Sequence, residues 1–262
     1  MLKQSTLLCA ATALLANCGA TSIPEVPGIV TKAIGDEVFV IGQDVASTTV
    51  NGQNLNAGVW TPTHDYGVLK GFLAENGNRQ GYFTESTSRD SAVIVIATNA
   101  SADNVFSAGF ARNAPTTLPK TGSVTYTGPY AAIYENDRID PTLNDVITGV
   151  VNGDASITAN FSTNEAQGEI TNRVVRNSSS NDLITTDVAD VTFALSSIAS
   201  DGSFGGTTSG GQFPSTFATL SGEYQGLIAG ANGGEAVGAV RIIHVVDPGV
   251  SNVTELGVFL AE

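Results

Sequence analysis

The sequence is poor in cysteine, in aromatic residues and in charge. Its 262 residues include two cysteines, one tryptophan and one methionine, and 14% of the residues are charged. Cys9 lies in an apolar N-terminal segment that we expect to be removed, which leaves Cys18 as the only thiol and excludes an intrachain disulfide. We therefore expect packing and sheet hydrogen bonds to stabilise the mature chain.

Basic residues are also scarce. Lysine and arginine total 11 against 25 carboxylates, and the formal net charge is −14. Such a surface repels phosphate backbones and anionic headgroups. The charge balance therefore argues against nucleic acid as a partner and against a polybasic membrane patch.

Long apolar runs are absent apart from one short segment at the N-terminus. Lys3 gives a positive start, residues 7–15 are apolar but too short to span a bilayer, and the run from Leu15 to Cys18 follows at once. This order predicts a lipoprotein signal over residues 1–17. It also predicts a lipid anchor on Cys18, with palmitate among its acyl chains.

One residue of this signal departs from the usual pattern. Asn17 stands where lipoprotein signals usually carry a small residue, and the alternative is an ordinary secretory signal cut near Ala20 or Ser22. Under either interpretation the protein is exported. We expect an outer-membrane lipoprotein, exposed at the cell surface, with a periplasmic location as the alternative.

The rest of the composition favours β-structure. The chain has 29 glycines and many threonines, serines and valines, which suit short strands joined by turns. Residues 18–32 carry Pro24 and Pro27 without an apolar period and predict a flexible tether. Pro115 and Pro119 mark the best internal boundary, so we expect an N-terminal β domain over 33–115 and a second domain over 116–262.

The strand signals differ between these two regions. In the first region, strands are predicted at 37–41, 67–72, 81–83, 92–97 and 106–110, and the β-branched run 92–97 predicts burial on both faces. In the second region, Ile157, Ala159 and Phe161 alternate with polar residues, and Asp201-Gly202 predicts a tight hairpin turn. About eight such strands with glycine at inward positions predict a closed barrel whose first and last strands pair.

Several segments of the second region resemble a known family. The run from Gly222 to Gly238, the run from Leu256 to Ala261, the strand from Gly122 to Gly128 and the hairpin from Asp201 resemble the transferrin-binding protein B type β-barrel domain of the transferrin-binding protein-like solute-binding lipoproteins. The resemblance implies an all-β chain whose C-terminal eight-stranded antiparallel barrel follows a small N-terminal β domain. It also implies a lipoprotein that binds a partner and catalyses nothing. Transferrin itself is not implied, because full receptors have two lobes and this chain has one barrel.

Few residues have the pattern of a chemical site. His64 and His244 belong to no metal-spacing motif, and no G-x-S-x-G segment offers a nucleophile. We expect no catalytic residue, no cofactor and no metal. Asp137, Asp140 and Asp145, in an acidic loop without the EF-hand glycine, are the lesser alternative of a calcium site.

Three tyrosines recur every four residues near the start of the second region. Tyr126, Tyr130 and Tyr134 could present aromatic anchors to a partner. The alternation of Tyr126 with threonines favours instead a position in the barrel core or wall.

These patterns favour a non-catalytic binding module of the bacterial envelope. The partner would be an unidentified protein or small solute, the membrane would be contacted through the lipid anchor only, and no pattern specifies an oligomeric state. The alternative is a structural or adhesive surface lipoprotein without a discrete pocket. An integral outer-membrane barrel is disfavoured, because the strands have short apolar faces, no aromatic girdles and aromatic residues at only 7%.

Overall fold

The computed structural model describes residues 25–26, 30–35, 39–42, 47–55, 58–59, 65–74, 79–98, 106–138, 149–213, 218–247 and 251–262. In these ranges the regular structure is β-strand apart from a single 3-10 turn, Ala231–Gly233. None of the described residues forms a helix with the length and apolar character needed to cross a bilayer.

Within the described residues, the N-terminal unit contains eleven strands, all paired antiparallel. One sheet has six strands in the order β2-β10-β9-β8-β7-β6, a second has the order β3-β4-β5, and β1 pairs with β11. The strands are β1 Glu25–Val26, β2 Val30–Ile34, β3 Phe39–Val40, β4 Thr49–Val50, β5 Gln53–Asn54, β6 Gly58–Val59, β7 Lys70–Ala74, β8 Arg79–Glu85, β9 Ser91–Thr98, β10 Phe106–Arg112 and β11 Thr116–Thr117.

The C-terminal unit is the predicted closed barrel. Eight antiparallel strands pair in the ring β12-β13-β14-β16-β17-β18-β19-β20, and β20 returns to β12, so the first and last strands pair as expected. The short β15 pairs only with β14 among the described strands. The strands are β12 Ser123–Arg138, β13 Gly149–Asn160, β14 Glu165–Asn177, β15 Leu183–Thr185, β16 Val191–Ser197, β17 Ser203–Gly210, β18 Ala218–Ala229, β19 Glu235–Asp247 and β20 Ser251–Ala261.

Aromatic rings that lie over glycines of the neighbouring strand fill the barrel interior. Phe204 stands opposite Gly226 across β17 and β18, and Phe259 stands opposite Gly238 across β20 and β19. A Cβ at Gly226 would lie 2.2 Å from the Phe204 ring. Glycine at these inward positions therefore makes room for the rings, and the barrel encloses a packed core.

Gly238 offers a direct test of this packing. A Cβ at Gly238 would lie 2.3 Å from the backbone oxygen of Gln225 and 2.5 Å from the Phe259 ring. Because a backbone atom cannot rotate away, we expect Gly238→Ala to lower the free energy of unfolding by about 1–3 kcal/mol, measured by urea denaturation. Gly234→Ala is the matched control, since Gly234 is exposed, its φ is −79°, and a Cβ there would lie 3.2 Å from its nearest neighbour, the Ala231 carbonyl oxygen. Equal midpoints for the two variants would contradict the packing described.

Strand β9 of the six-stranded sheet is buried on both faces, as the run 92–97 predicts. Val93, Val95 and Ala97 belong to an apolar cluster shared with the barrel. Ile94 and Ile96, on the opposite face, pack in a second cluster with residues of the β3-β4-β5 sheet. All six residues from 92 to 97 are fully buried. The sheet therefore lies as a middle layer between the barrel wall and the small three-stranded sheet.

The barrel contributes part of its outer wall to the shared cluster. These outward-facing residues are apolar and almost fully buried: Ala131, Ile133, Val150, Leu227, Ala229, Val237, Ala239, Leu256, Val258 and Leu260. Along β20 they alternate with inward-facing Phe259 and Ala261 of the barrel core. Both faces of β20 are therefore apolar because each face meets a different core.

Buried polar contacts also join the two units. The Glu235 carboxylate accepts hydrogen bonds from the hydroxyls of Ser88, at 2.5 Å, and Ser91, at 2.6 Å. Arg112, which is fully buried, donates to the carbonyl oxygens of Asp201, at 2.9 Å, and Ile228, at 3.1 Å. These contacts satisfy polar groups that the apolar interface would otherwise leave without partners.

Strand β1 and the start of strand β2 lie in the stretch 18–32, for which the sequence predicts a tether. Glu25–Val26 pairs with Thr116–Thr117, and β2 begins at Val30 and pairs with β10. These residues therefore belong to sheets of the folded body.

Candidate functional site

The N-terminal sheet leaves part of the barrel wall uncovered. The sheet packs against apolar residues of five barrel strands, β12, β13, β18, β19 and β20. On β14 and β16, in contrast, the outward side chains of Glu169, Thr192 and Leu195 are exposed, Leu195 by 59%. This uncovered wall is therefore open to solvent.

A groove of about 630 Å³, which we call the junction groove, lies where the two units meet beside this wall. The turn from Tyr66 to Leu69 borders the groove on the N-terminal side. Two backbone hydrogen bonds between Tyr66 and Leu69, of 2.9 and 3.0 Å, hold this turn. Gly67 has φ +58°, and a Cβ there would lie 3.2 Å from Pro129 of β12, so glycine allows the turn to approach the barrel. The lining residues are Tyr66, Gly67, Thr127, Gly128, Pro129, Asp154, Ala155, Ser156 and Thr171.

A β-bulge between β13 and β14 shapes the floor of this groove. The register shifts between Asn152 and Asp154, and Asn172 on the partner strand has φ +52°. Asparagine tolerates this left-handed conformation better than most residues. The bulge places Asn172 at the exposed surface and its neighbour Arg173 in the barrel interior. Two consecutive polar side chains of β14 therefore point to opposite sides of the barrel wall.

Asp154 is the carboxylate of the junction groove, and two donors fix it in place. The Tyr66 hydroxyl donates to Oδ1 at 3.2 Å, and the Asn172 side-chain amide donates to Oδ2 at 2.9 Å. Burial and the neighbouring Asp154 charge raise the pKa of Tyr66, which therefore stays protonated as a donor. Each oxygen of Asp154 has accepted one bond and can accept another from a ligand.

A second groove of about 280 Å³, the wall groove, continues over the uncovered wall. It shares Ser156 with the junction groove. Its lining is polar apart from Gly168 and Phe193: Ser156, Thr158, Gln167, Gly168, Glu169, Thr192 and Phe193. Because Ser156 pairs with Glu169 and Thr158 with Gln167, the polar residues run side by side across the strands.

A buried polar network lies inside the barrel. Arg173 donates to Glu255 at 2.5 Å and to the carbonyl oxygens of Ala189, at 2.6 Å, and Gly211, at 2.9 Å. Tyr130 donates to the other Glu255 oxygen at 2.8 Å, and His244 lies 3.3 Å from Glu255. Arg173 thus links the segment before β16, at Ala189, and the segment after β17, at Gly211, to the Glu255 carboxylate on β20. The network holds the barrel together, and its side chains are sealed from solvent.

This network predicts acid sensitivity. Burial alone would raise the pKa of Glu255, but the Arg173 charge and the His244 hydrogen bond outweigh burial and lower that pKa to about 2. A carboxyl with a lowered folded pKa stabilises the fold above its ordinary pKa of about 4.5 and loses this contribution as the pH falls toward 2. We expect the difference in unfolding free energy between the wild type and Glu255→Gln to shrink below about pH 4.5. A difference in urea titrations that stays constant from pH 7 to pH 2.5 would contradict this.

The structure locates some of the residues singled out in the sequence. His244 is buried in the barrel beside Phe213, with ring centroids 4.4 Å apart. Cys18, His64, Asp140 and Asp145 lie outside the described residues. For Asp137, only its place in strand β12 is described. Among the described residues, no group of three His, Cys, Asp or Glu side chains is arranged to hold a metal ion.

The three recurring tyrosines point into the barrel. Tyr126 and Tyr130 are almost fully buried, and Tyr134 packs against the same core. The Tyr126 hydroxyl donates to the Gly233 carbonyl at 2.6 Å. Tyr126 therefore occupies the core position that the sequence favours. Tyr126 and Tyr130 are buried and do not present anchors to a partner.

The sequence interpretation missed Tyr66, Asp154 and Asn172. Tyr66 and Asp154 are 88 residues apart, and no local pattern links them. Asn172 lies in a strand whose alternation gives no sign of the bulge. The one available signal is the polar outward face of β13, which the period-two pattern already assigns to solvent.

Comparisons with solved structures find matches at low sequence identity and with TM-scores below 0.5. A surface lipoprotein structure is 14% identical with a TM-score of 0.39, over 68% of this chain and 78% of that one. Transferrin-binding protein B from Haemophilus parasuis is 12% identical with a TM-score of 0.47, over 93% of this chain and 47% of that one. The isotype 1 protein from Neisseria meningitidis is 12% identical with a TM-score of 0.40, over 90% of this chain and 44% of that one.

The chain thus spans under half of the length of these transferrin-binding proteins. Structures of transferrin-binding protein B are thus among the matches. No protein-family model matches the chain, and no curated protein does.

Proposed function

We propose that the chain is a non-catalytic binding module of the bacterial envelope that takes a protein or small solute at the junction groove. The observation that carries this proposal is the carboxylate of Asp154, held by two donors in a groove where two packed units meet. Ligand sites favour such interfaces and use a few fixed polar groups for orientation.

The chemistry of the groove supports recognition over reaction. Its described lining contains hydroxyls, one carboxylate and small apolar residues, with no histidine, cysteine or lysine among them. His244 and Glu255 do not line this groove, because both side chains are buried inside the barrel.

The proposal includes a lipid anchor at Cys18 of an exported chain. The apolar segment and the run from Leu15 to Cys18 support it. Metabolic labelling with an alkyne palmitate should mark the wild type, and Cys18→Ser should lose the label. Retention of the label by Cys18→Ser would refute the anchor.

Capture from envelope extracts tests the binding role. We expect the immobilised chain to retain a protein or solute that Asp154→Ala retains less well, because the groove loses its fixed acceptor. Leu195→Ala, on the exposed wall outside both grooves, is the matched control and should capture as the wild type does. The proposal fails if the wild type retains nothing, or if Asp154→Ala retains the same partner equally.

A structural or adhesive role is the second candidate. Leu183 and Ile184 on β15 are 53% and 54% exposed, and in the described part of the chain the outer edge of β15 is unpaired. Exposed apolar residues at a free strand edge favour association with other chains. For an adhesin, a Leu183→Ser and Ile184→Ser double variant should reduce cell attachment and Asp154→Ala should not. A binding module would give the opposite pattern for ligand retention.

A further inference from the structure

We infer that the ligand of the two grooves is a neutral oligosaccharide that lies across the uncovered wall. This inference rests on the proposed binding function and specifies the chemical class that the grooves fit. It starts from the continuity of the junction groove and the wall groove at Ser156.

The joined grooves form an elongated track with hydrogen-bonding groups along its length. Thr127 pairs with Ser156, Ser156 with Glu169, and Glu169 with Thr192, so β12, β13, β14 and β16 each contribute one polar residue in register. Four neighbouring strands spaced about 4.8 Å apart span about 14 Å. This length suits a short chain of sugar units better than a single small solute.

The polar groups of the track match the hydrogen bonding of sugar hydroxyls. A hydroxyl both donates and accepts, as do the threonine and serine hydroxyls that line the track. Asp154 keeps one free acceptor site on each oxygen after its bonds from Tyr66 and Asn172. Two adjacent sugar hydroxyls can therefore donate to the two oxygens of one carboxylate, and hydrogen bonds to a charged acceptor are the stronger kind.

The charge of the track disfavours an anionic ligand. Asp154 and Glu169 both line it, and the whole chain carries a formal net charge of −14. Anionic glycans and phosphorylated ligands are repelled by such a surface. A neutral sugar chain gains the same hydrogen bonds without this repulsion.

Tyr66 supplies an aromatic ring at one end of the track. Its hydroxyl is fixed to Asp154, and the residue lines the junction groove. The C–H face of a sugar ring packs on an aromatic ring, which offers a large apolar surface with a polar edge. Tyr66 thus contributes a hydroxyl that holds Asp154 and a ring that packs on a sugar. Tyr66→Phe removes only the hydroxyl, whereas Tyr66→Ala removes both.

Titration calorimetry of the full chain with neutral oligosaccharides tests the inference. The probes are tri- and hexasaccharides of glucose, galactose, mannose and N-acetylglucosamine, with oligogalacturonate as the anionic comparison. We expect at least one neutral probe to bind and oligogalacturonate not to bind. Asp154→Ala should weaken binding by about tenfold or more. Tyr66→Ala should weaken it more than Tyr66→Phe, and Leu195→Ala should bind as the wild type does.

The outcomes separate this inference from the function on which it rests. Binding of no neutral probe, preference for oligogalacturonate, or equal affinity of Asp154→Ala and wild type overturns the oligosaccharide assignment. If Asp154→Ala nevertheless loses a captured protein partner, the binding function stands and its ligand is a protein. If Asp154→Ala loses neither oligosaccharide binding nor a captured protein partner, both the oligosaccharide assignment and the binding function are overturned. Circular dichroism spectra that match the wild type exclude misfolding of the variants, whose altered side chains lie at the surface.

Discussion

We expect Val258→Asp to lower the free energy of unfolding by more than about 4 kcal/mol, because a charge would then be buried without a partner. Val258 is fully buried on the outer wall of the barrel, in the cluster that the barrel shares with the N-terminal sheet. Urea unfolding followed by circular dichroism measures the change.

Leu195→Asp provides the matched control on the same barrel. Leu195 also faces outward, but its side chain is 59% exposed on the uncovered wall. A charge there stays hydrated, and we expect a change within about 0.5 kcal/mol. Comparable losses for Val258→Asp and Leu195→Asp would show that the wall is not divided into a covered and an uncovered part.

Glu255→Gln should be the second strongly destabilising change. It removes the charge that compensates Arg173, and both side chains are completely buried. Breaking one partner of a buried ion pair costs about 3–5 kcal/mol, because the remaining charge is left uncompensated. Arg173 also tethers Ala189 and Gly211, so the loss should extend to the barrel end that these residues form.

Glu223→Gln removes a carboxylate from an exposed pair and serves as the control. Its partner Arg241 lies 3.8 Å away, and the two side chains are 44% and 49% exposed. Exposed pairs contribute about 0–1 kcal/mol, so the unfolding midpoint should scarcely move. If Glu255→Gln is no less stable than Glu223→Gln, the buried network does not hold the barrel.

The sequence predicts the local elements of this fold well and its long-range arrangement less completely. Alternation along Ile157, Ala159 and Phe161 predicts one buried face, and all three side chains lie in the barrel core. Asp201-Gly202 predicts a turn, and Gly202 with φ +80° lies between β16 and β17. Local patterns succeed here because period and turn chemistry act within a few residues.

What covers a buried face is not a local property. The run 92–97 predicts a strand buried on both faces, but it does not reveal that the barrel wall lies on one side. In the same way, Arg173 and Glu255 are 82 residues apart and meet only when the barrel closes. The candidate site depends on such contacts, since Tyr66 and Asp154 come from different units. The alternation pattern treats Asp154 as one more solvent-facing residue.

The division of the barrel wall is the central structural claim, and thiol labelling tests it most directly. In a chain with Cys9→Ser and Cys18→Ser, no other cysteine remains, so a single new thiol reports its own exposure. Native protein carrying Thr192→Cys should react rapidly with a maleimide, because Thr192 is exposed. Native protein carrying Val258→Cys should react only after denaturant is added. Equally rapid labelling of both native proteins would contradict the packing of the N-terminal sheet on the barrel.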